Sequence, residues 1–110
     1  MDRNPRKKVT LRPDFEQDLT AVYSYGAETF GSVAAKSFVL DVFDHVNTLA
    51  EHSEMHPECR FLRTPSKNFR NIVLGSYLII YHTDETSVEV LRMLHSSSSI
   101  RKIKSAKSAR

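Results

Sequence analysis

Cysteine is nearly absent from this 110-residue chain: Cys59 is the only one. A disulfide within one copy is therefore impossible, and a closed zinc site would have to draw on histidines. Glycine is almost as scarce, with three in all, which leaves no glycine-rich loop to cradle a phosphate. The longest apolar run, Tyr77–Tyr81, is far too short to cross a bilayer. The basic N-terminus, Met1–Leu11, has no apolar segment behind it, so no secretory signal is expected. Together these absences predict a reduced, cytoplasmic setting without membrane, metal or cofactor. What remains is ordinary for a soluble fold. Hydrophobic residues make up 40% and charged residues 26%, enough for one domain with its own core and too apolar for a disordered chain.

Charge is sorted along the chain behind a modest net of +3. Residues 1–12 carry +4, residues 13–58 carry −8 with Lys36 as their sole base, residues 59–83 carry +4, and residues 92–110 carry +6. Folded together, such segments make an acidic layer and a basic layer. A basic layer attracts polyanions, either nucleic acid or an acidic protein. A solvated surface without a partner is the plainer explanation, but sorting this marked favours a partner.

Lys7-Lys8-Val9-Thr10-Leu11 is a β-branched run and predicts a first strand. Pro13, Asp14 and Glu16 then suit a helix start, since proline needs no N–H there and early carboxylates complement the dipole. Phe15, Leu19, Val22, Tyr23 and Phe30 recur at helical spacing; Gly31 stops this helix and Ser32 starts another. The second helix puts Ala35, Phe38, Val39, Val42, Val46, Leu49 and Ala50 on one stripe. So short a joint makes the two helices antiparallel neighbours. His52–Asn68 holds Pro57 and Pro65, lacks a period, and predicts a loop with a short extended piece at Cys59–Leu62. Strands follow at Phe69–Leu74, Tyr77–Thr83 and Ser87–Leu94, the first two joined by Gly75-Ser76 in a hairpin turn. The expected fold is α+β, in the order β-α-α-β-β-β: an antiparallel sheet packed against a helical hairpin. Residues 1–95 form the single domain, and residues 96–110 a basic, mobile tail.

The hairpin register pairs Leu74 with Tyr77, Ile72 with Ile79 and Arg70 with Tyr81. With no bulge in the next strand, Arg92 joins Arg70 and Tyr81 on their face. That trio reads equally as a cation stacked on a ring or as an anion site. His52, His56 and Cys59 have metal-like spacing, but Pro57 and the want of a fourth ligand favour a plain helix end. His95, between Arg92 and the basic tail, has the residue type for acid–base work on RNA, although packing at a strand end explains it as well. Ser96–Ser99 has no nucleophile elbow around it.

The string Phe69-Arg70-Asn71-Ile72-Val73-Leu74-Gly75-Ser76-Tyr77-Leu78-Ile79-Ile80-Tyr81, followed by Val88-Glu89-Val90-Leu91-Arg92-Met93-Leu94-His95-Ser96, resembles the ParE branch of the RelE/ParE toxins. Further matches are Pro13-Asp14 with Asp18-Leu19, Tyr23-Ser24-Tyr25, Phe30-Gly31, and His56-Pro57-Glu58-Cys59-Arg60-Phe61-Leu62. The resemblance covers roughly residues 8 to 104, and the family's β-α-α-β-β-β fold agrees with the order of elements reached from the residues alone.

This resemblance implies the toxin of a type II toxin–antitoxin module, of the kind tied to plasmid stabilisation. Its implied partner is a cognate antitoxin that wraps it with an amphipathic helix and an extended segment, the exposed hairpin side and the sheet edge being the natural receptors. ParE-like members inhibit DNA gyrase; RelE-like members cut messenger RNA on the ribosome. The RelE-like catalytic arginine aligns with Leu78 here, and leucine cannot stabilise a pentavalent phosphate. Gyrase inhibition by protein binding is therefore the first expectation, and a ribosome-dependent endoribonuclease using Arg70, Arg92 and His95 the alternative. The residues expected to grip the target, or an anion on it, are Arg60, Arg63, Lys67, Arg70, Tyr81, Arg92, Arg101, Lys102 and Lys104.

Overall fold

The computed structural model describes residues 6–110; Met1–Pro5, with Arg3 of the basic N-terminal stretch, lie outside them. Strand β1 (Lys8–Leu11) leads directly into helix α1 (Pro13–Phe30), which has proline in its first turn and Asp14 and Glu16 against its positive end. Gly31 sits at φ +94°, a region that L side chains avoid, and its single residue reverses the chain into α2 (Ser32–His52). After the loop come β2 (Phe69–Leu74), β3 (Tyr77–Thr83) and β4 (Ser87–His95), with Gly75 at φ +58° in the first hairpin turn.

The hairpin register is the expected one, with Arg70 opposite Tyr81, Ile72 opposite Ile79 and Leu74 opposite Tyr77. The spatial order is β1-β4-β3-β2, and β1 adds to the antiparallel meander as a parallel neighbour of β4. Between β3 and β4 the register slips: Ile80 faces Arg92 and Tyr81 faces Val90, which leaves Leu91 as an extra bulged residue. A bulge turns the residues beyond it onto the other face, and this has consequences for Arg92.

Apolar side chains cover both faces of the sheet. On the hairpin side, Phe15, Val42, Val46 and Leu49 pack on Ile72, Ile79, Tyr81, Val88, Val90 and Met93. Phe30 departs from the expected stripe. It lies at the helix end, beyond the sheet, and is 71% exposed. On the other side Phe69, Ile80, Leu91 and Leu94 meet Cys59 and Leu62 from the loop. That second core also takes in residues of the stretch 96–110, which the sequence reading set apart as a tail. Ser99 caps a short helix, α3 (Ile100–Lys104), by accepting the Lys102 N–H at 3.1 Å, and a 3₁₀ turn follows at Ser105–Ala109. Ile103 and Ala106 are buried against the sheet. Arg12 Nε donates to the Ala109 carbonyl at 3.1 Å, and Arg110 Nε donates to Glu89 at 2.6 Å. These contacts lay residues 99–110 against the second face of the sheet.

Two histidines tie this packing to pH. Burial, reinforced by His45, holds His56 below its ordinary pKa. Burial and then Arg110 hold His82 down, against the opposing pull of Glu89 and Asp84. The unfolded chain therefore takes up protons near pH ~6.5 that the folded chain resists, so stability falls as pH drops below that value. The melting temperature should be lower at pH ~5 than at pH ~7.5; equal values would show that these rings are not held neutral.

Candidate functional site

At the turn of the helical hairpin, α1 and α2 leave an apolar groove open toward the sheet. Val22, Tyr25, Phe30, Ala34, Phe38 and Tyr77 line a cavity of about 240 Å³ there. Tyr25 is 61% exposed and stands edge-on to Phe30, with ring centroids 6.5 Å apart. Phe38 lies against Tyr77 at 5.6 Å. Val33 and Leu40 add exposed apolar surface on α2. Large apolar side chains clustered at the surface mark a contact site for another macromolecule. The sequence periodicity alone gave no sign of the groove, because it assigned Phe30 to the core.

The residues expected to share a basic surface fall into separate groups. Tyr81 is fully buried, and its hydroxyl donates to the Ser53 carbonyl; burial pushes its pKa up. It is a core residue that ties β3 to the end of α2, not a contact residue. Arg70 does lie beside it, but its Nη1 donates to the carbonyls of His56 at 2.7 Å and Glu54 at 3.3 Å. Arg70 therefore clasps the turn that follows α2. Together with Lys67 it lines an open cleft of about 600 Å³ that also holds Glu54, Asp84 and Glu85, a poor arrangement for gathering anions.

Arg92 is drawn away by the bulge. Its Nε and Nη2 donate to the Asp18 carboxylate at 2.6 and 2.9 Å, and the Met93 backbone N–H donates to the same carboxylate at 2.9 Å. Asp18 holds the guanidinium charged and raises its pKa, and both side chains are mostly buried. The predicted face of Arg70, Tyr81 and Arg92 consequently does not form. His95 points into neither arginine site. It stands at the end of β4, edge-on to Tyr77 at 5.5 Å, beside the apolar groove. The Ser97 N–H donates to its Nδ1 at 3.1 Å, which places the proton of the neutral ring on Nε2. Arg70, Arg92 and His95 thus face different neighbours and share no scissile position.

What the structure does bring together is Arg60 with the tail. Arg60 and Ile103 line one shallow cavity on the second face of the sheet, and Arg101, Lys102 and Lys104 are exposed on α3 around the buried Ile103. The Arg60 guanidinium lies over the Phe61 ring, 5.4 Å from its centroid. Arg63 is exposed on the same loop. Leu78 is half-buried there, packed against the second core. Cys59 is also in that core, with its thiol pushed up by burial, whereas His56 packs edge-on against Tyr81. Among the described residues no group of three or more His, Cys, Asp or Glu is placed to hold a metal ion, and no helix is long and apolar enough to cross a membrane.

A helical hairpin laid on a four-stranded mixed sheet, with an apolar groove at its turn, defines a compact α+β class of small domains. Within that class the chain belongs to the family described as the ParE toxin of type II toxin–antitoxin systems, parDE, whose sequence model matches residues 9–100. A solved structure described as the chromosomal ParDE TA system from P. aeruginosa has the same fold. It superposes with a TM-score of 0.68 at 17% identity, over 82% of this chain and 96% of that one. No curated protein matches the chain in sequence.

Proposed function

We propose that this chain is a toxin that inhibits DNA gyrase by binding it, and that a cognate antitoxin neutralises it by laying an amphipathic helix in the groove between α1 and α2. The groove carries the antitoxin part of the reading: Tyr25 and Phe30 are large apolar anchors left mostly exposed in this chain, which a partner helix would remove from water. Gyrase is favoured over messenger RNA because Leu78 replaces the aligned arginine and Arg92 is closed off by Asp18. Of the cations expected to meet a target, Arg60, Arg63, Lys67 and those of α3 are exposed.

The test is induction of the chain alone, with plasmid supercoiling and transcript integrity followed in parallel. Supercoiling should fail first. Cleaved transcripts with gyrase unaffected would support the ribonuclease instead, and loss of neither would remove the toxin reading. In the same cells, Phe30→Glu should stay toxic yet escape the antitoxin, with affinity for it weakened at least ~30-fold, the range of an interface hot spot. Full neutralisation of that variant would place the antitoxin elsewhere.

A further inference from the structure

Where the last turn of the chain meets the sheet, one carboxylate has two claimants. Glu89 pairs with His82 across β4 and β3, and His82 pairs with Phe69 across β3 and β2, so all three lie on the face that the tail covers. Glu89 Oε1 accepts from Arg110 Nε at 2.6 Å. The same oxygen is 3.9 Å from His82 Nδ1, near enough to attract a charged ring and too far to hydrogen-bond a neutral one. His82 is 7% exposed and stands edge-on to Phe69, with ring centroids 4.9 Å apart. Lys107 brings a second tail cation to that Phe69 ring, its Nζ 5.7 Å from the centroid. Asp84, in the turn after β3, is the other charge acting on the imidazole. The backbone N–H groups of Thr86 and Ser87 hold its carboxyl down to about 2, so it stays ionised.

We infer that residues 105–110 form a proton-released latch over the second face of the sheet, in which Glu89 passes from Arg110 to His82 when the ring takes up a proton. Closed, the latch resists that proton. A charged imidazole there would be buried, with Arg110 and Lys107 drawn toward it and one carboxylate to share with Arg110. When the turn lifts, both tail cations leave with it, water reaches the ring, and Glu89 is free to pair with the imidazolium. The open form thus binds the proton more tightly than the closed form, and by linkage acid favours opening by the same factor. Above pH ~6.5 neither form holds the proton and the latch rests closed; below that value the open form charges first. The other ties of the tail, the buried Ile103 and Ala106 and the Arg12 bond to the Ala109 carbonyl, carry no group that titrates near neutrality. His56 packs against Tyr81 in the opposite core and does not touch the turn. The latch depends on neither gyrase nor an antitoxin.

Amide exchange of the full chain between pH ~5.5 and ~7.5, corrected for the intrinsic rate at each pH, reads opening residue by residue, and an NMR titration of the His82 ring runs beside it. Opening of residues 105–109 should rise about fivefold toward the acid end, following the titration of the ring. Across the range the turn should open far more often than β3. Arg110→Ala, a change at an exposed residue, should open the turn already at pH ~7.5 and move the His82 midpoint upward. His82→Gln should remove the pH dependence, and His56→Gln should leave it in place. Undiminished pH dependence in a folded His82→Gln, its loss in His56→Gln, or an unmoved His82 midpoint in Arg110→Ala would each overturn the latch. So would a turn that opens no more often than β3, since only the whole fold would then be coming apart. If His82→Gln fails to fold, the Arg110→Ala midpoint decides.

Discussion

Asp18→Ala is expected to destabilise the protein by about 3 kcal/mol and to lower its melting temperature by roughly 12 °C. One carboxylate takes two guanidinium bonds from Arg92 and the backbone N–H of Met93, in a site where both charged side chains are mostly buried. Truncating it leaves a strand N–H without an acceptor and the Arg92 cation with only a long contact to Ser105 Oγ at 3.5 Å, and that state costs more than the pair itself contributes. Asp18→Asn keeps one acceptor oxygen and should lose about half as much. Urea unfolding of the three proteins is the measurement. A loss under ~1 kcal/mol for Asp18→Ala would mean that water reaches Arg92 freely and that the contact is only a surface ion pair.

A second large effect is expected at the tail, where Ile103→Ala should cost about 3 kcal/mol. Ile103 is 2% exposed and packs in the second core with Ile80, Leu91 and Leu94. The loss registers in global unfolding only if α3 docks cooperatively with the sheet. Were the tail to detach on its own, the penalty would stop at its docking energy while the remainder unfolded as before. Amide exchange separates these outcomes. Cooperative docking raises exchange throughout β3 and β4, whereas independent detachment raises it only within residues 100–109. The second pattern would return the tail to the mobile appendage that its serine and lysine content suggested.

Much of the architecture was legible because it is set by local signals. Pro13 and Gly31 bound the first helix, the 3.6-residue stripe of α2 is unambiguous, and Gly75 fixes a two-residue turn that in turn fixes the hairpin register. The features missed depend on contacts distant in sequence. Nothing in Val9-Thr10-Leu11 states that its neighbour is the last strand, and β1 pairs there in parallel only because the helical hairpin carries the chain over the sheet. The bulge at Leu91 is hidden because Val90 and Leu91 are both apolar and serve opposite cores. That one slipped residue moved Arg92 away from Arg70 and removed the expected anion site. The Asp18–Arg92 contact spans 74 positions and carries no local signature. The tail did leave a clue: Ser99 ahead of Ile100 and Ile103 is a capped, one-sided turn, obscured by the serine run before it.

The lone thiol has a practical consequence. Cys59 is 1% exposed, sits beneath the tail, and has its ionisation suppressed by burial. A thiolate-seeking reagent meets it only when the roof over that side of the sheet lifts, so oxidants that inactivate proteins with accessible thiols should leave this one intact. For the same reason, its alkylation rate would serve as a built-in clock for how often α3 lets go.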